Sequence, residues 1–190
     1  SYISDLKNVY MEGMEEIIVG DPELYTRIQA FFAAEIPEKE DLLRLYDDSA
    51  FPLGKLYSTQ TAIEKALREK VWLRNGGYLV IQPTEALTVI DVNSGKSAGK
   101  GKNEEGILKI NLEAAREAAR QIRLRNLSGI IIIDFINLES EENVGLLLKE
   151  FRIRLAGDPI QTTLVDITPL NLVEVTRKKV HRPLYEQIRM

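Results

Sequence analysis

The chain has 190 residues, 44% of them hydrophobic, enough for one large or two small domains with a sizeable core. Its 29 acidic and 25 basic residues leave a formal charge of -4, without the basic excess usual in a nucleic-acid binder, so contact with a polyanion must come from local clusters or a metal. It contains no cysteine, which excludes a disulfide framework and a thiolate zinc link, and no apolar run approaches the length of about 18 residues that spans a membrane.

In chain order, residues 1–10 show no clear pattern. Met14 to Val19 is predicted as a short strand. Gly20 stops it, and Asp21 is placed to cap a helix that starts at Pro22. That helix should run to about Ala34, with Leu24, Ile28 and Phe31 or Phe32 on its inner face. Leu42 to Tyr46 reads as another strand, followed by a loop to Gly54. Ser58 is expected to cap a helix from Thr59 to about Glu69, with Ile63, Ala66 and Leu67 inward. Val71 to Leu73 reads as a strand with Trp72 in the core, leading to the turn Asn75-Gly76-Gly77.

Leu79, Val80 and Ile81 form an apolar run that ends at Pro83, because proline cannot donate to a sheet ladder. Leu87, Val89 and Ile90 form a second run rich in β-branched residues. It delivers Asp91 to a strand end, followed by Asn93, Ser94 and Gly95. A carboxylate at a strand tip that opens into a polar loop can present a metal ligand from a rigid base. The loop continues with Lys96, Lys100 and Lys102 and no acid. It is not a nucleotide phosphate loop, since Gly99-Lys100 follows Gly95 too closely and no hydroxyl residue comes next. Phosphate contact is the favoured reading of the three lysines, and a solvated loop is the alternative.

Glu104 to about Arg125 is the clearest helix, with Leu108, Leu112, Ala115, Ala119 and Ile122 as its apolar stripe. Gly129 to Asp134 is a continuous apolar run, which predicts a central strand buried on both faces. It too ends in an aspartate. Asp91 and Asp134 could converge on one hard cation such as Mg²⁺, or each could simply cap the segment that follows. Ser140 should cap a helix with Leu146, Leu147 and Phe151 inward, ending near Gly157. Thr162 to Val165 reads as a strand, and Leu172 to Val175 as a strand or a helix start. Strands alternating with helices predict a mixed α/β layer fold.

Four blocks together carry a resemblance: GGYLVIQPTEALTVIDVNSGK over 76–96, Asn111 to Ala115, Gly129 to Asp134, and Leu172 to Lys179. In order and spacing they resemble the ribonuclease E/G family, over nearly the whole chain. The resemblance implies an RNase H-like portion at 1–75 and a DNase I-like α/β catalytic subdomain at 76–190. It implies an endoribonuclease of single-stranded RNA that leaves 5′-phosphate and 3′-hydroxyl ends. Asp91 and Asp134 would hold a catalytic Mg²⁺, and Asn93 would orient Asp91. The basic cluster Arg177, Lys178 and Lys179 would touch RNA, the alternative being a charged surface end. Glu85, Glu113 and Asp166 are further carboxylates that no spacing brings to the metal. The single histidine, His181, argues against a two-histidine acid/base mechanism.

Two other readings stay open: a non-catalytic RNA-binding or scaffolding relative, and a phosphotransferase on a related RNase H-like fold. Family members normally carry an OB-fold and a 5′-end sensor before this region, and neither pattern is found. A fragment or short member is therefore expected, cytoplasmic, with no membrane span and no zinc link; a homo-oligomer of the full-length protein is compatible with it. Asn171 stands where the family commonly has glycine, and asparagine tolerates the left-handed backbone of such a turn.

Overall fold

A computed structural model describes residues 14–95 and 103–188, together with Ile3. The chain divides into two compact units, residues 1–63 and 64–190. Among the described residues no helix is long and apolar enough to cross a membrane.

In the first unit, strand β1 (Ile17–Val19) pairs in parallel with β2 (Leu43–Leu45). Helix α1 (Pro22–Glu35) connects them, and its start follows from its first two residues. The Asp21 carboxylate accepts the Leu24 N–H at 2.6 Å, and Pro22 occupies a position where no N–H is needed. Ile28 and Phe32 are buried against Val19 and Leu43, whereas Leu24, expected inward, is exposed. A 3-10 helix at Pro37–Leu42 leads into β2. Helix α2 (Leu53–Leu56) follows, and α3 (Thr59–Leu67) runs through residue 63, after which the second unit begins. Ser58 has a φ of 50°, unlike the extended backbone of a capping residue, so the expected cap is replaced by a tight left-handed turn. Within α3 Ala66 is buried and Leu67 is exposed.

The second unit is built on a six-stranded mixed sheet. Its strands are β3 (Lys70–Trp72), β4 (Tyr78–Pro83), β5 (Leu87–Asn93), β6 (Gly129–Asp134), β7 (Thr162–Ile167) and β8 (Leu172–Arg177). They lie in the order β3-β4-β5-β6-β8-β7. Only β5 and β6 are parallel; the other neighbours are antiparallel. A parallel pair needs a crossover, and α4 (Glu104–Leu124) supplies it. Helix α5 (Glu141–Ala156) joins β6 to β7, and a short α6 (Leu184–Ile188) follows β8. The mixed α/β class expected from the sequence is the class found.

Both long helices cover the same sheet face. Leu79, Ile81, Ile90, Val92, Ile131, Ile133, Val173 and Val175 form its core side, under Ile110, Ala114, Ala115, Ala118, Ala119 and Ile122 of α4 and Leu147, Phe151 and Leu155 of α5. The alanines let α4 approach the sheet closely, and each fully buried Ile or Leu contributes about 1.5–3 kcal/mol. The buried stripe of α4 therefore centres on Ile110, Ala114 and Ala118, while Leu108 and Leu112 are only partly buried. Leu146 of α5 is exposed where an inward side chain was expected.

Because burial is one-sided, two expectations fail. β6 is central, between β5 and β8, but its run is buried on one face only, since Ile130 is 50% exposed. Trp72 is not a core residue: at 59% exposure it stands on the outer face of the edge strand β3.

The basic cluster also divides. Arg177 is buried and ion-paired to Asp158, with Nε–Oδ2 at 2.8 Å and side-chain exposures of 3% and 1%. Its Nη1 donates to Asn126 Oδ1 and to the Leu127 carbonyl. It ties β8 to the turns after α4 and α5, and every guanidinium nitrogen is committed to that task. The expectation that Arg177 contacts RNA is thus corrected. Lys178 and Lys179 are exposed.

Burial pushes the Asp158 carboxyl up, but the bonds from Arg177, the Ile160 N–H and the Thr162 hydroxyl outweigh it and hold the group below the usual carboxylate range. Arg177→Ala is expected to cost about 3–5 kcal/mol, because it leaves that carboxylate buried without its partner. Lys178→Ala and Lys179→Ala should stay within about 0.5 kcal/mol. Urea melts of the three variants check this. A carboxyl depressed by folding adds stability above its unfolded pKa of about 3.9, and the contribution is lost as pH falls through the lower folded value. Melting temperature should therefore drop on acidification below about pH 4, and less steeply in Asp158→Asn.

Candidate active site

Asp91 and Asp134 are cross-strand neighbours. In the parallel pairing of β5 with β6, Asp91 lies opposite Asp134, one step beyond Ile90 opposite Ile133. Adjacent strands are about 4.8 Å apart, so the two carboxylates leave the sheet side by side. Ile90 and Val92 point into the core, which turns Asp91 and Asn93 to the outer face. Asp134, after buried Ile133, is exposed on that face. The Asn93 side-chain amide donates to Asp91 Oδ2 at 2.7 Å. That bond fixes one oxygen of the Asp91 carboxylate.

The glycines of this stretch answer to close packing. Asn93 pairs with Tyr78 at the end of β4, bringing the loop after β5 against the Gly76-Gly77 turn. A Cβ on Gly77 would meet the Asn93 carbonyl at 2.8 Å, and one on Gly95 would collide with the Gly76 carbonyl. Gly95 also has a φ of 54°, a conformation that other residues rarely hold.

Beyond Asp134 the chain is gripped from α4. Asn111 is fully buried, and its amide makes a two-way clamp on Ile136: Nδ2 donates to the carbonyl at 2.7 Å and Oδ1 accepts the N–H at 3.1 Å. Glu104, at the start of α4, accepts from the Glu139 and Ser140 N–H groups and from the Asn143 side chain. The bonds from Ser140, Asn143 and Glu139 hold the Glu104 carboxyl below the usual range. Ser140 in turn caps α5 through the Asn143 N–H. Nearby, Asn171 has a φ of 63°, the left-handed turn expected of it, and donates to Asn137 Oδ1 at 3.3 Å.

Among the described residues no three His, Cys, Asp or Glu side chains gather closely enough to hold a metal between them. Among the described residues, the carboxylates that stand side by side here are those of Asp91 and Asp134. That set suits Mg²⁺, which is commonly held by one or two carboxylates and otherwise keeps its waters or takes phosphate oxygens. It would not make a closed structural zinc site. Glu113 accepts the Arg74 N–H, which ties α4 to the turn after β3. Asp166 pairs with Glu174 two rows back along the sheet.

Other residues singled out by the sequence lie elsewhere. Lys96, Lys100 and Lys102 fall outside the described residues. Arg177 pairs with Gly129 at the opposite end of the sheet from Asp134, which pairs with Leu172. Five residues of strand put Lys178 and Lys179 about 17 Å or more from the aspartates. They follow the end of β8 that lies opposite Gly129, not the end that lies opposite Asp134. The positioning roles of Asn111 and Glu104 do not follow from the motifs of the sequence. A buried amide between Ile110 and Leu112 was the available signal, because a polar side chain on an apolar helix face needs a specific partner.

The chain matches the ribonuclease E/G family over residues 1–180. It is 39% identical to "Ribonuclease G" of Salmonella typhimurium over 166 residues, which is 87% of this chain and 34% of that protein. It is 36% identical to "Ribonuclease G" of Haemophilus influenzae over 94% of this chain and 36% of the relative. It is also 36% identical to "Ribonuclease E" of a Nostoc species, over 95% of this chain and 27% of the relative. The chain thus spans about a third of the length of the curated relatives it matches.

Asn111→Ala should leave the Ile136 N–H and carbonyl without partners, at about 1–3 kcal/mol for each buried group. A clear fall in melting temperature is expected, without restoration by Asn111→Leu, which fills the space but makes no bond. Gly95→Ala should be comparably damaging, while Gly145→Ala, where an added Cβ meets nothing within 4 Å, should be tolerated. Parallel thermal melts of the four variants check the contrast.

Proposed function

Because the chain belongs to the ribonuclease E/G family, we propose that it is the catalytic part of a Mg²⁺-dependent endoribonuclease. The substrate is single-stranded RNA, cut by hydrolysis to leave 5′-phosphate and 3′-hydroxyl ends. In this reading residues 76–190 are the DNase I-like catalytic subdomain and residues 1–75 the RNase H-like portion, with β3 joining the sheet from before that boundary.

The observation that carries the reading is the in-register pair Asp91 and Asp134 on the outer sheet face, with Asn93 bonded to Asp91. The cation held there would supply charge stabilisation for the phosphoryl oxygens and an activated water. The protein's part is to present both carboxylates from adjacent, paired strands. Asn93 fixes the plane of the Asp91 carboxylate by donating to Oδ2. Exposed Asp134 faces the side from which a phosphate arrives. Asn111 and Glu104 hold the chain that leaves Asp134, so its carboxylate does not drift with the loop. The only histidine follows the far end of β8, which agrees with chemistry that uses no imidazole pair.

Two adjacent carboxylates repel each other. Asp91→Asn and Asp134→Asn should therefore abolish cleavage of an unstructured RNA in Mg²⁺ while leaving melting temperature unchanged or slightly raised. Asn93→Ala should lose about 10–100-fold and regain part of it at higher Mg²⁺. Chelation with EDTA should stop cleavage. Near wild-type turnover by either aspartate variant would contradict the two-carboxylate site.

A further inference from the structure

The outer face of the sheet carries a second feature in line with the aspartates. Trp72 of β3 pairs with Tyr78 of β4, and Tyr78 pairs with Asn93 of β5. One row back, Lys70 pairs with Val80, and Val80 with Asp91. Side chains at paired positions share a face, so Trp72, Tyr78, Lys70, Asn93 and Asp91 all stand on the same side of the sheet. The contacts agree: the Trp72 and Tyr78 rings are 5.2 Å apart between centroids. The Lys70 ammonium lies 4.2 Å from the Trp72 ring centre and 3.6 Å from that of Tyr78. Trp72 nevertheless remains 59% exposed. An indole carries a large apolar surface, and leaving it in water on a sheet face forfeits its burial. An exposed tryptophan beside a half-buried tyrosine is informative where an isolated surface leucine would not be.

We propose that Trp72 and Tyr78 form a stacking subsite for a base of single-stranded RNA, adjoining the Asp91–Asp134 pair, with Lys70 placed to meet a neighbouring phosphate. The proposal rests on the nuclease reading of the aspartates and names how that site grips its substrate. Three arguments select this occupant. Every base has a π-face, so aromatic side chains bind single strands by stacking without regard to sequence. The cation at the rings matches a phosphate backbone, and cation–π contact holds it there. The ledge is two strands from Asp91, about 10 Å. A protein seated on it would overhang Asn93 and Asp91, whereas a nucleotide chain can run from ring to carboxylate and leave the site open.

Trp72 is the chain's only tryptophan, so its fluorescence reports on this ledge alone. The whole chain is titrated in EDTA with a single-stranded oligoadenylate and with an abasic oligomer of equal length and charge. Saturable quenching by oligoadenylate is expected, with little by the abasic oligomer. With a labelled oligoadenylate read by anisotropy, Trp72→Ala should bind roughly 5- to 150-fold more weakly, and Trp72→Phe should fall between it and wild type. Lys70→Ala should lower the slope of log affinity against log salt by about 0.7. Absence of quenching, equal quenching by the abasic oligomer, or unchanged affinity in Trp72→Ala overturns the proposal. So does a concentration-dependent emission shift without oligomer, which would mean that a second copy covers the ledge. Cleavage assays of Asp91→Asn keep the two readings separate. Lost cleavage without quenching in the wild type leaves the nuclease and removes the ledge. Quenching with cleavage undiminished in Asp91→Asn leaves the ledge and removes the assigned carboxylates.

Discussion

The structure depends on one register: the parallel pairing that sets Asp91 opposite Asp134. Side chains alternate along a strand, so a slip of one residue in either partner would carry an aspartate into the core and an isoleucine out of it. Ile90, Ile131 and Ile133, all at 0% exposure, make that slip prohibitive. The hydrophobic side of the sheet thus enforces the position of the charged side. Stability and site are two faces of the same strands, and the repulsion between neighbouring carboxylates is tolerated because the apolar face fixes the register.

Helix α4 is the second half of that arrangement. It is required topologically, because parallel strands cannot be joined by a hairpin. Its inner face also reaches the chain segments that leave the sheet. Asn111 clamps Ile136, Glu104 clamps Glu139 and Ser140, and Glu113 clamps Arg74. These bonds hold irregular backbone where no strand partner is available, which is where a functional loop is otherwise free to move. Far from the aspartates, the buried ion pair of Arg177 with Asp158 performs the same task for the opposite end of β8. The two ends of the sheet are therefore anchored by different chemistry, and Asp91 and Asp134 stand side by side at the end opposite Arg177.

Much of this was legible in the sequence, and the failures have a common cause. The strand end at Asp134, the Asp21 and Ser140 caps and the left-handed turn at Asn171 are encoded locally, by turn chemistry and apolar runs, whereas β5 runs two residues past Asp91 to Asn93. Local pattern does not say which face of a sheet is covered. Gly129 to Asp134 reads as buried on both sides because isoleucine fills every position, yet the helices pack on one side only. The apolarity of Trp72 predicts a core position, and the side chain stands on the outer face instead. Adjacency groups Arg177 with Lys178 and Lys179, although the burial alternation along β8 turns its side chain to the covered face. Asn111 was hidden because its partner, Ile136, is 25 residues away in sequence.

The central claim is that Asp91 and Asp134 form one cation site on the outer sheet face. Mn²⁺ substitutes for Mg²⁺ at oxygen ligands of this kind and broadens the NMR signals of nuclei near it. With substoichiometric Mn²⁺ added to the whole chain, the backbone amides of residues 91–93 and 134–136 should broaden together, and Mg²⁺ should reverse the effect by competition. The same titration of the double variant Asp91→Asn, Asp134→Asn should leave those amides sharp. Broadening that persists in the double variant, or that centres on another part of the chain, would contradict the account.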